Sequence, residues 1–410
     1  MKVAALVGWT SEQRSVVIAS FLGWSLDAFD FFLLVFVIGD IAREFGVDIS
    51  AVTFAILLTL AMRPVGAFLF GRAADRWGRR PTLMVDVLLY SAIEFASGFS
   101  PNLTVLLVLR ALYGIAMGGE WGVGASLTME SIPPHARGFV SGLLQSGYPT
   151  GYFVASIVYA LLFPIIGWRG MFMVGVLPAL LVLYIRRRVP ESPSWERTNR
   201  ARNDTLVILR SHWRLGLYAI VLMTAFNFFS HGTQDLYPTF LQVQHGLSPH
   251  AVGTIAAIYN VGAILGGIVC GSLSERFGRR RTIVIAALLS LPVLPLWAFS
   301  ESPVLLATGA FLMQVMVQGA WGVIPVHLNE LSPGDARGTF PGFVYQLGNL
   351  LASANATIQA GIAVKFGGNY GLALALVAGS VAVIIAVLTS FGVEAKGVAF
   401  GPVRGSRTVA

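Results

Sequence analysis

The sequence predicts an all-α membrane protein of twelve transmembrane helices in two six-helix repeats. Three observations predict it: an apolar composition, twelve apolar runs long enough to cross a bilayer, and a decamer that occurs twice. Of the 410 residues, 55% are hydrophobic and only 12% charged, about half the charged share of a water-soluble domain. A membrane span needs about 20 largely apolar residues. Runs of that kind fall at 15–39, 51–74, 82–99, 103–128, 138–163 and 168–185, then at 215–241, 250–273, 282–299, 303–328, 338–364 and 369–392. The decamer Gly71-Arg-Ala-Ala-Asp75-Arg76-Trp-Gly78-Arg79-Arg80 returns as Gly271-Ser-Leu-Ser-Glu275-Arg276-Phe-Gly278-Arg279-Arg280, an offset of 200 residues. The same offset carries Gly119, Trp121 and Gly122 onto Gly319, Trp321 and Gly322, and Glu130-x6-Arg137-Gly138 onto Glu330-x6-Arg337-Gly338. Agreement over three separate stretches indicates an internal duplication. The expected division is a first bundle over 1–185, a linker over 186–214, a second bundle over 215–397 and a basic, disordered tail over 398–410.

The net charge of +8 invites a nucleic-acid partner, and the distribution of charge argues against one. With both termini in the cytoplasm, 23 of the 28 Lys and Arg residues lie on the cytoplasmic side; Arg43, Arg169 and Lys365 lie outside, and Arg63 and Arg110 lie within spans. Such asymmetry orients a protein in a membrane, here the cell (inner) membrane. The single cysteine, Cys270, excludes an intrachain disulfide. The first apolar run is longer than a signal-peptide core and has no small-residue cleavage site after it, so it reads as a retained span. No Gly-x4-Gly-Lys-Ser/Thr is present, and the 29-residue linker cannot house a nucleotide-binding domain. Energy for any transport then comes from a gradient, without a cofactor. His-Glu-x-x-His, Gly-x-Ser-x-Gly and a cysteine ligand set are absent as well, which argues against an enzyme.

The decamer resembles the signature loop between the second and third spans of the major facilitator superfamily. The two Glu-x6-Arg pairs and Pro190-Glu191-Ser192-Pro193 are similar to further marks of that superfamily, so the resemblance covers both halves. It implies alternating access between two six-helix bundles. The expected mechanical elements are Gly71, Asp75, Arg76, Arg79 and Arg80 with Glu130 and Arg137, and Glu275 and Arg276 with Glu330 and Arg337. They form a cytoplasmic latch that bonds to neighbouring helix ends in one state and releases in the other.

Taken in order, the spans carry few charges, each at a cost unless paired, hydrated or protonated. In the first, Gly23-Trp24-x2-Asp27-x2-Asp30 sets two carboxyls three residues apart, near enough in angle to face one cavity. They read as a proton-binding pair or as a structural pair at a helix break. An acidic pair after Gly-Trp resembles the first span of the sialate/monocarboxylate:proton symporters; aromatic-acid:proton symporters carry a similar pair. Arg63 in the second span offers a planar fork suited to a carboxylate, of either a substrate or a neighbouring acid. In the third, Asp86 and Glu94 share a face and are expected at opposite interfaces. The fourth opens with Arg110, followed by Gly114, Gly118 and Gly119, spacing that lets helices approach closely. Arg110 and Glu120 stand about 15 Å apart along a helix and do not pair. The duplicate has Ala310 and Ala320 in their places, so both charges are private to the first half. Arg110 resembles the superfamily's fourth-span motif and is expected to act with the latch residues in the conformational change, and Glu120 is a candidate proton site. In the fifth, Tyr148 stands where antiporters of the superfamily carry a glycine before Pro149, which favours symport.

The linker, with eight arginines against Glu191, Glu196 and Asp204, is expected to hold a surface helix. The seventh span is the most polar, with Asn227, His231, Gln234 and Asp235 on one helical face. Its string Asn-x2-Ser-His-x-Thr-Gln-Asp-x2-Pro-Thr closely resembles the seventh-span signature of the yeast-type lactate/pyruvate:proton symporters. Interhelix hydrogen bonding is the plainer reading of the same residues. The tenth span carries Gln314, Gln318 and His327. In the eleventh, Gln346 and Asn349 share a face and match a pair that faces substrate in the lactate-permease likeness. Glu394-Ala-Lys396-Gly397 closes the second half much as Pro190-Glu191 closes the first.

The expected activity is proton-coupled symport of a small carboxylate. Arg63, Asn227, His231, Gln234, Gln346 and Asn349 would hold the substrate, and Asp27, Asp30, Glu120 and Asp235 the proton. Lactate or pyruvate ranks first, sialic acid second and an aromatic acid third, in a monomer whose partners are substrate, protons and lipid. A non-transporting membrane sensor would keep the packing glycines but need no duplicated latch.

Overall fold

The computed structural model describes residues 8–198 and 205–400. Among these residues the structure is helical throughout, without strands. The first half comprises α1 (Ser11–Phe45), α2 (Ile49–Trp77), α3 (Arg79–Ser97), α4 (Leu103–Met117), α5 (Glu120–Ser131), α6 (Arg137–Gln145), α7 (Gly147–Val174) and α8 (Ala179–Arg188). Two short helices follow, α9 (Pro193–Thr198) and α10 (Thr205–Ser211). The second half runs through α11 (Trp213–Gln234), α12 (Tyr237–Thr239), α13 (Pro249–Phe277), α14 (Arg279–Ser290), α15 (Leu294–Ala298), α16 (Pro303–Trp321), α17 (Ile324–Leu331), α18 (Phe340–Ala352), α19 (Asn355–Lys365) and α20 (Tyr370–Phe391). The offset of 200 residues carries the ends of α2 onto those of α13, and the starts of α3 and α4 onto those of α14 and α16.

Local chemistry sets the helix ends. Thr10 and Gln13 form a reciprocal capping box at α1, and Asp48, Asn102 and Ser248 cap α2, α4 and α13 through their side chains. Between α2 and α3 the chain turns at Gly78, φ 112°, and between α13 and α14 at Gly278, φ 96°. Side chains are disfavoured at such angles, which explains the glycine at the same place in both decamers.

Among the described residues nine helical stretches are long and apolar enough to cross a membrane, against twelve apolar runs in the sequence. The other three runs fall on α3, on the end of α7 with α8, and on α18 with α19. α3 carries Arg79, Arg80, Asp86 and Glu94. α7 breaks at Gly167, φ 61°, and α8 ends in Arg186, Arg187 and Arg188. α18 and α19 are each shorter than the roughly 20 residues a span requires.

The halves meet at the arginine-rich end. α6 packs on α13 with glycine against glycine: a Cβ on Gly142 would fall on the carbonyl oxygen of Gly267, and one on Gly138 on that of Gly271. Across the pseudo-symmetric contact, Gly71 of α2 abuts Thr339, just before α18. Two carboxylates then bridge the halves. Asp75 accepts from the backbone N–H of Gly338 (2.7 Å) and Thr339 (3.1 Å) and from the Thr339 hydroxyl (2.6 Å). Glu275 accepts from the backbone N–H of Gly138 (2.6 Å). Amides at a helix start have no partner inside the helix, so the acid of each half satisfies the helix start of the other.

Behind these bridges lies a duplicated ion network. Arg79 reaches Asp75 (2.9 Å) and Glu130 (3.2 Å), and Arg279 reaches Glu275 and Glu330 (both 2.8 Å). Arg337 of the second half meets Glu130 of the first at 3.4 Å, and Arg137 of the first meets Glu330 of the second at 4.0 Å. Glu191 accepts from the backbone N–H of Arg79 and Arg80, and Glu394 from that of Arg279 and Arg280. Burial pushes the Glu191 carboxyl upward from its ordinary range, against the pull of these amides. Arg76 and Arg276 depart from the expectation for the latch. Both are exposed and lie over the rings of Trp77 and Phe277.

The linker and tail also differ from their sequence reading. α9 and α10 provide two short helices, while 199–204 of the linker lie outside the described residues. Disorder was expected from 398 onward, yet Val398 accepts from Arg137 (2.9 Å) and Phe400 lies against the guanidinium groups of both Arg137 and Arg337. The remainder of the tail, 401–410, lies outside the described residues.

Two outcomes test this closure, read as spin-label distances between R76C and R276C in a C270S background. Gly142→Leu is expected to lengthen that distance and to lower the melting temperature, because backbone lies where its Cβ must go. Asp75→Asn removes a charge from hydrogen bonds worth about 1.5–3 kcal/mol, so the closed population should fall by roughly 10- to 100-fold relative to the open one. An unchanged distance distribution in both variants would show that these contacts do not hold the halves together.

Candidate functional site

On the far side of the latch the two halves present polar groups to a shared interior. Asp27 sits midway along α1, and Arg63 lies on α2 beside Pro64; the two are buried and their charged atoms stand 3.7 Å apart. Arg63 also points a terminal nitrogen at the sulfur of Met117 (2.6 Å) and lies 5.4 Å from the centre of the Phe31 ring. That leaves the pair underbonded: both Asp27 oxygens and Nε of Arg63 lack a hydrogen-bond partner. A buried guanidinium presents five donors, so Arg63 retains capacity for an acceptor beyond Asp27.

The second half faces it with His231, Asp235 and Asn349. His231 contacts Asp235 through Nδ1 and the Asn349 carbonyl oxygen through Nε2 (3.1 Å), which ties α11 to α18. The side chains of His231 and Asp235 are 35% and 39% exposed, although the α11 stretch is apolar enough to cross a membrane. The charge of Arg63 acts on His231, Tyr148 and Tyr345, and that of Asp235 on Tyr148 and Tyr259. Arg63 of the first half and Asp235 of the second are thus both near enough to Tyr148 for their charges to act on it.

An aromatic layer separates this interior from the latch. Trp24 packs on Tyr148 (5.3 Å between ring centres) and Trp121 (6.4 Å), Trp121 on Tyr345 (4.6 Å), and Tyr345 on Trp321 (5.6 Å). Trp121 and Trp321 are duplicates at the 200-residue offset, and Tyr345 touches both. On α1, Trp24 is one turn from Asp27; on α18, Tyr345 lies between Thr339 of the latch and Asn349 of the site. The aromatic layer thus covers the site on the side of the arginine-rich end, while the side chains of His231 and Asp235 keep partial exposure.

Several residues grouped by sequence are separated in space. Asp27 and Asp30 take different basic partners: Arg63 lies by Asp27, whereas the charged neighbours of Asp30 are Glu94, Asp27 and Arg110. Three residues along a helix give about 60° between side chains, enough to send them to different neighbours. Arg110 is remote from the latch. It pairs with Glu94 (2.6 Å), donates to the Ser97 hydroxyl (2.6 Å), and lies against the rings of Tyr113 and Phe172. Asp86 and Glu94 are both fully buried among the helices. Asn227 donates to the carbonyl of Met223 in its own helix, and Gln234 donates to Gln314 (2.8 Å). Gln234 therefore makes the interhelix bond of the plainer reading, while Asn227 bonds within its own helix. Gln346 is buried with its carbonyl oxygen unpartnered, and Glu120 is buried with both oxygens unpartnered. Sequence reasoning missed the aromatic layer, although the constant offset of Trp121 and Trp321 marked two of its members.

No cluster of three metal-ligating side chains occurs among the described residues. The profile of the Major Facilitator Superfamily matches residues 20–248 and 220–408. The chain is 29% identical over 408 residues to a carboxylic acid transporter protein homolog of Saccharomyces cerevisiae, covering 93% of this chain and 66% of that protein. It is 28% identical over 391 residues to the sialic acid transporter NanX of Escherichia coli, covering 94% and 95% of the two chains. Its fold superposes on the proton:xylose symporter XylE, solved with 6-bromo-6-deoxy-D-glucose, with a TM-score of 0.78 at 19% identity over 95% of this chain and 98% of that one. The duplicated decamers, the interlocked helix halves and these likenesses agree: the chain is no enzyme but belongs to the Major Facilitator Superfamily of transporters.

Proposed function

We propose that the chain is a proton-coupled symporter of small carboxylates working by alternating access. Twelve spans cross the cell (inner) membrane in this reading, with both termini cytoplasmic and a single chain as the working unit. The observation that carries it is the underbonded Asp27–Arg63 pair facing His231, Asp235 and Asn349 across the interface of the halves.

With Asp27 ionised, Arg63 is held by its neighbour. A proton on Asp27 removes that attraction and frees the guanidinium fork for a substrate carboxylate. His231 and Asn349 offer hydrogen bonds from the opposite half, so a bound anion draws the halves together. Gln346 and the face of Asn227 and Gln234 complete the ligand set expected from the sequence, Asn227 and Gln234 after breaking their present bonds, and the Asp235 carboxyl is a further proton site. The proton and the anion cancel in charge, which lowers the cost of carrying either through an apolar interior. Closing the outer end then requires the latch to open, with Asp75 and Glu275 leaving the helix starts they now satisfy. Such rocking of repeats about a central site suits the architecture.

The substrate class draws support from the relatives, named as carriers of carboxylic and sialic acids. Lactate or pyruvate stands first because the seventh-span string supplies His231 and Asp235, with sialic acid and an aromatic acid behind. The test is uptake of labelled lactate, pyruvate and sialate into proteoliposomes with and without an inward proton gradient. Uptake of at least one should accelerate with the gradient; rates indifferent to pH for all three would defeat the proposal. Arg63→Lys, which keeps the charge but loses the fork, should weaken half-saturating uptake by roughly 10-fold or more, the loss of one charge-assisted bond. Unaltered affinity would remove Arg63 from the site.

A further inference from the structure

We propose that the coupled proton leaves through Glu120 along a polar seam between α1 and α5, a route separate from that of the substrate. The inference rests on the symport reading above and adds where the proton goes. Glu120 opens α5 and is buried, with neither oxygen in a hydrogen bond. Its carboxyl occupies the space left by Gly23, where a Cβ would collide with Oε1. Gly23 lies one turn from Asp27 on α1. The charged or titratable groups facing Glu120 are Asp27 of α1, Arg63 of α2, and Asp86 and Tyr90 of α3.

A small cavity adjoins that carboxyl, bounded by Ser20, Trp24, Glu120, Trp121, Gly124 and Leu144. It is lined by unmatched hydrogen-bonding groups: the Trp24 indole N–H has no acceptor, and the Glu120 oxygens have no donor. A buried water needs two or more polar partners, and this lining supplies a donor, an acceptor and the Ser20 hydroxyl. Beyond the cavity, Thr128 donates to the Ser20 hydroxyl (2.7 Å), and Ser20 donates to the carbonyl of Gly124 (3.2 Å). Farther along, Gln13 donates to the carbonyl of Ser131 (3.2 Å) at the arginine-rich end. On α5 the track follows one face, at 120, 124 and 128.

The duplication supplies an internal control. At the same offset, Glu120, Gly124 and Thr128 become Ala320, Ile324 and Leu328, while Ser20 becomes Ile220. The seam is not needed for the helices to pack. A hydroxyl both accepts and donates, so Ser20 and Thr128 can each take a proton on one side and release one on the other. One proton leaves the Asp27 carboxyl, the Glu120 carboxylate receives it, and one proton emerges at the arginine-rich end. Asp27 is left ionised and recaptures Arg63 from the substrate.

The test separates net transport from exchange, since exchange of labelled for unlabelled substrate needs no proton release. The full chain is reconstituted with an internal pH dye, and the probe is whichever of labelled lactate, pyruvate or sialate the unmodified protein takes up fastest. Substrate-driven internal acidification, divided by exchange rate, should fall at least 10-fold in Glu120→Gln and in the pair Ser20→Ala with Thr128→Val. It should return in Thr128→Ser combined with unmodified Ser20, which keeps the hydroxyls. A ratio equal to that of the unmodified protein in both variants overturns the seam while leaving symport intact. Parallel loss of exchange and acidification, with no recovery in Thr128→Ser, also overturns it. Absence of acidification in the unmodified protein instead defeats the symport reading itself.

Discussion

Five carboxyl groups share two guanidinium groups inside the first half, and this imbalance is the constraint on which the site depends. Asp27, Asp30, Asp86, Glu94 and Glu120 are all buried, as are Arg63 and Arg110. Arg63 is near Asp27, and Arg110 is bonded to Glu94. Each additional ionised acid in a bilayer interior costs about 2.5–3.5 kcal/mol on insertion scales, so Asp30, Asp86 and Glu120 cannot all be charged cheaply. Protonation is the available neutraliser, since these carboxyls have no hydrogen-bond partners among the described residues. A bundle with more buried acids than bases is therefore under electrostatic pressure to keep some of its carboxyls neutral.

Closure of the halves follows a different economy. The latch is rich in satisfied bonds where the site is poor in them: Asp75, Glu130, Glu275 and Glu330 each meet a donor from both halves or an arginine that does. Breaking a buried charge pair by removing one partner costs about 3–5 kcal/mol, whereas rearranging several together can leave each with a new partner. The bonds of the latch are therefore costly to break singly. Phe400, wedged against Arg137 and Arg337, and Val398, bonded to Arg137, bring the end of the described chain into the same junction.

Much of this was legible in the sequence, and the reasons are physical. The decamers were readable because Gly78 and Gly278 need positive φ and because their charges interrupt apolar runs on both sides. Helix faces were readable too, but a face does not name its neighbour. Asp86 and Glu94 were placed on one face, yet periodicity could not name their neighbours: Glu94 meets Arg110, while Asp86 faces Glu120 and Asp27. Asn227 was placed on the polar face of its helix, but an amide can also return to a carbonyl one turn back, and it does so here. Phe400 carried no signal, since a single aromatic after Gly397 has no period. The polar string of the seventh span, by contrast, did mark a contact between helices: His231 joins α11 to α18 through Asn349.

Comparing the halves residue by residue separates mechanics from chemistry. Asp75, Arg79, Glu130 and Arg137 have Glu275, Arg279, Glu330 and Arg337 as duplicates, with the ionic character retained. Arg63, Asp86, Glu94, Arg110 and Glu120 have Ala263, Ala286, Leu294, Ala310 and Ala320, while Asp27 and Asp30 have Asn227 and Ser230. A scaffold that packs equally well with alanine or leucine at these places does not require the charges for folding. Buried ionisable groups lower stability unless compensated, so the first half carries them against the packing argument that suffices for the second. The asymmetry divides the halves accordingly: the ionic groups of the arginine-rich junction are shared by both, whereas the buried acids and arginines of the interior belong to the first half alone.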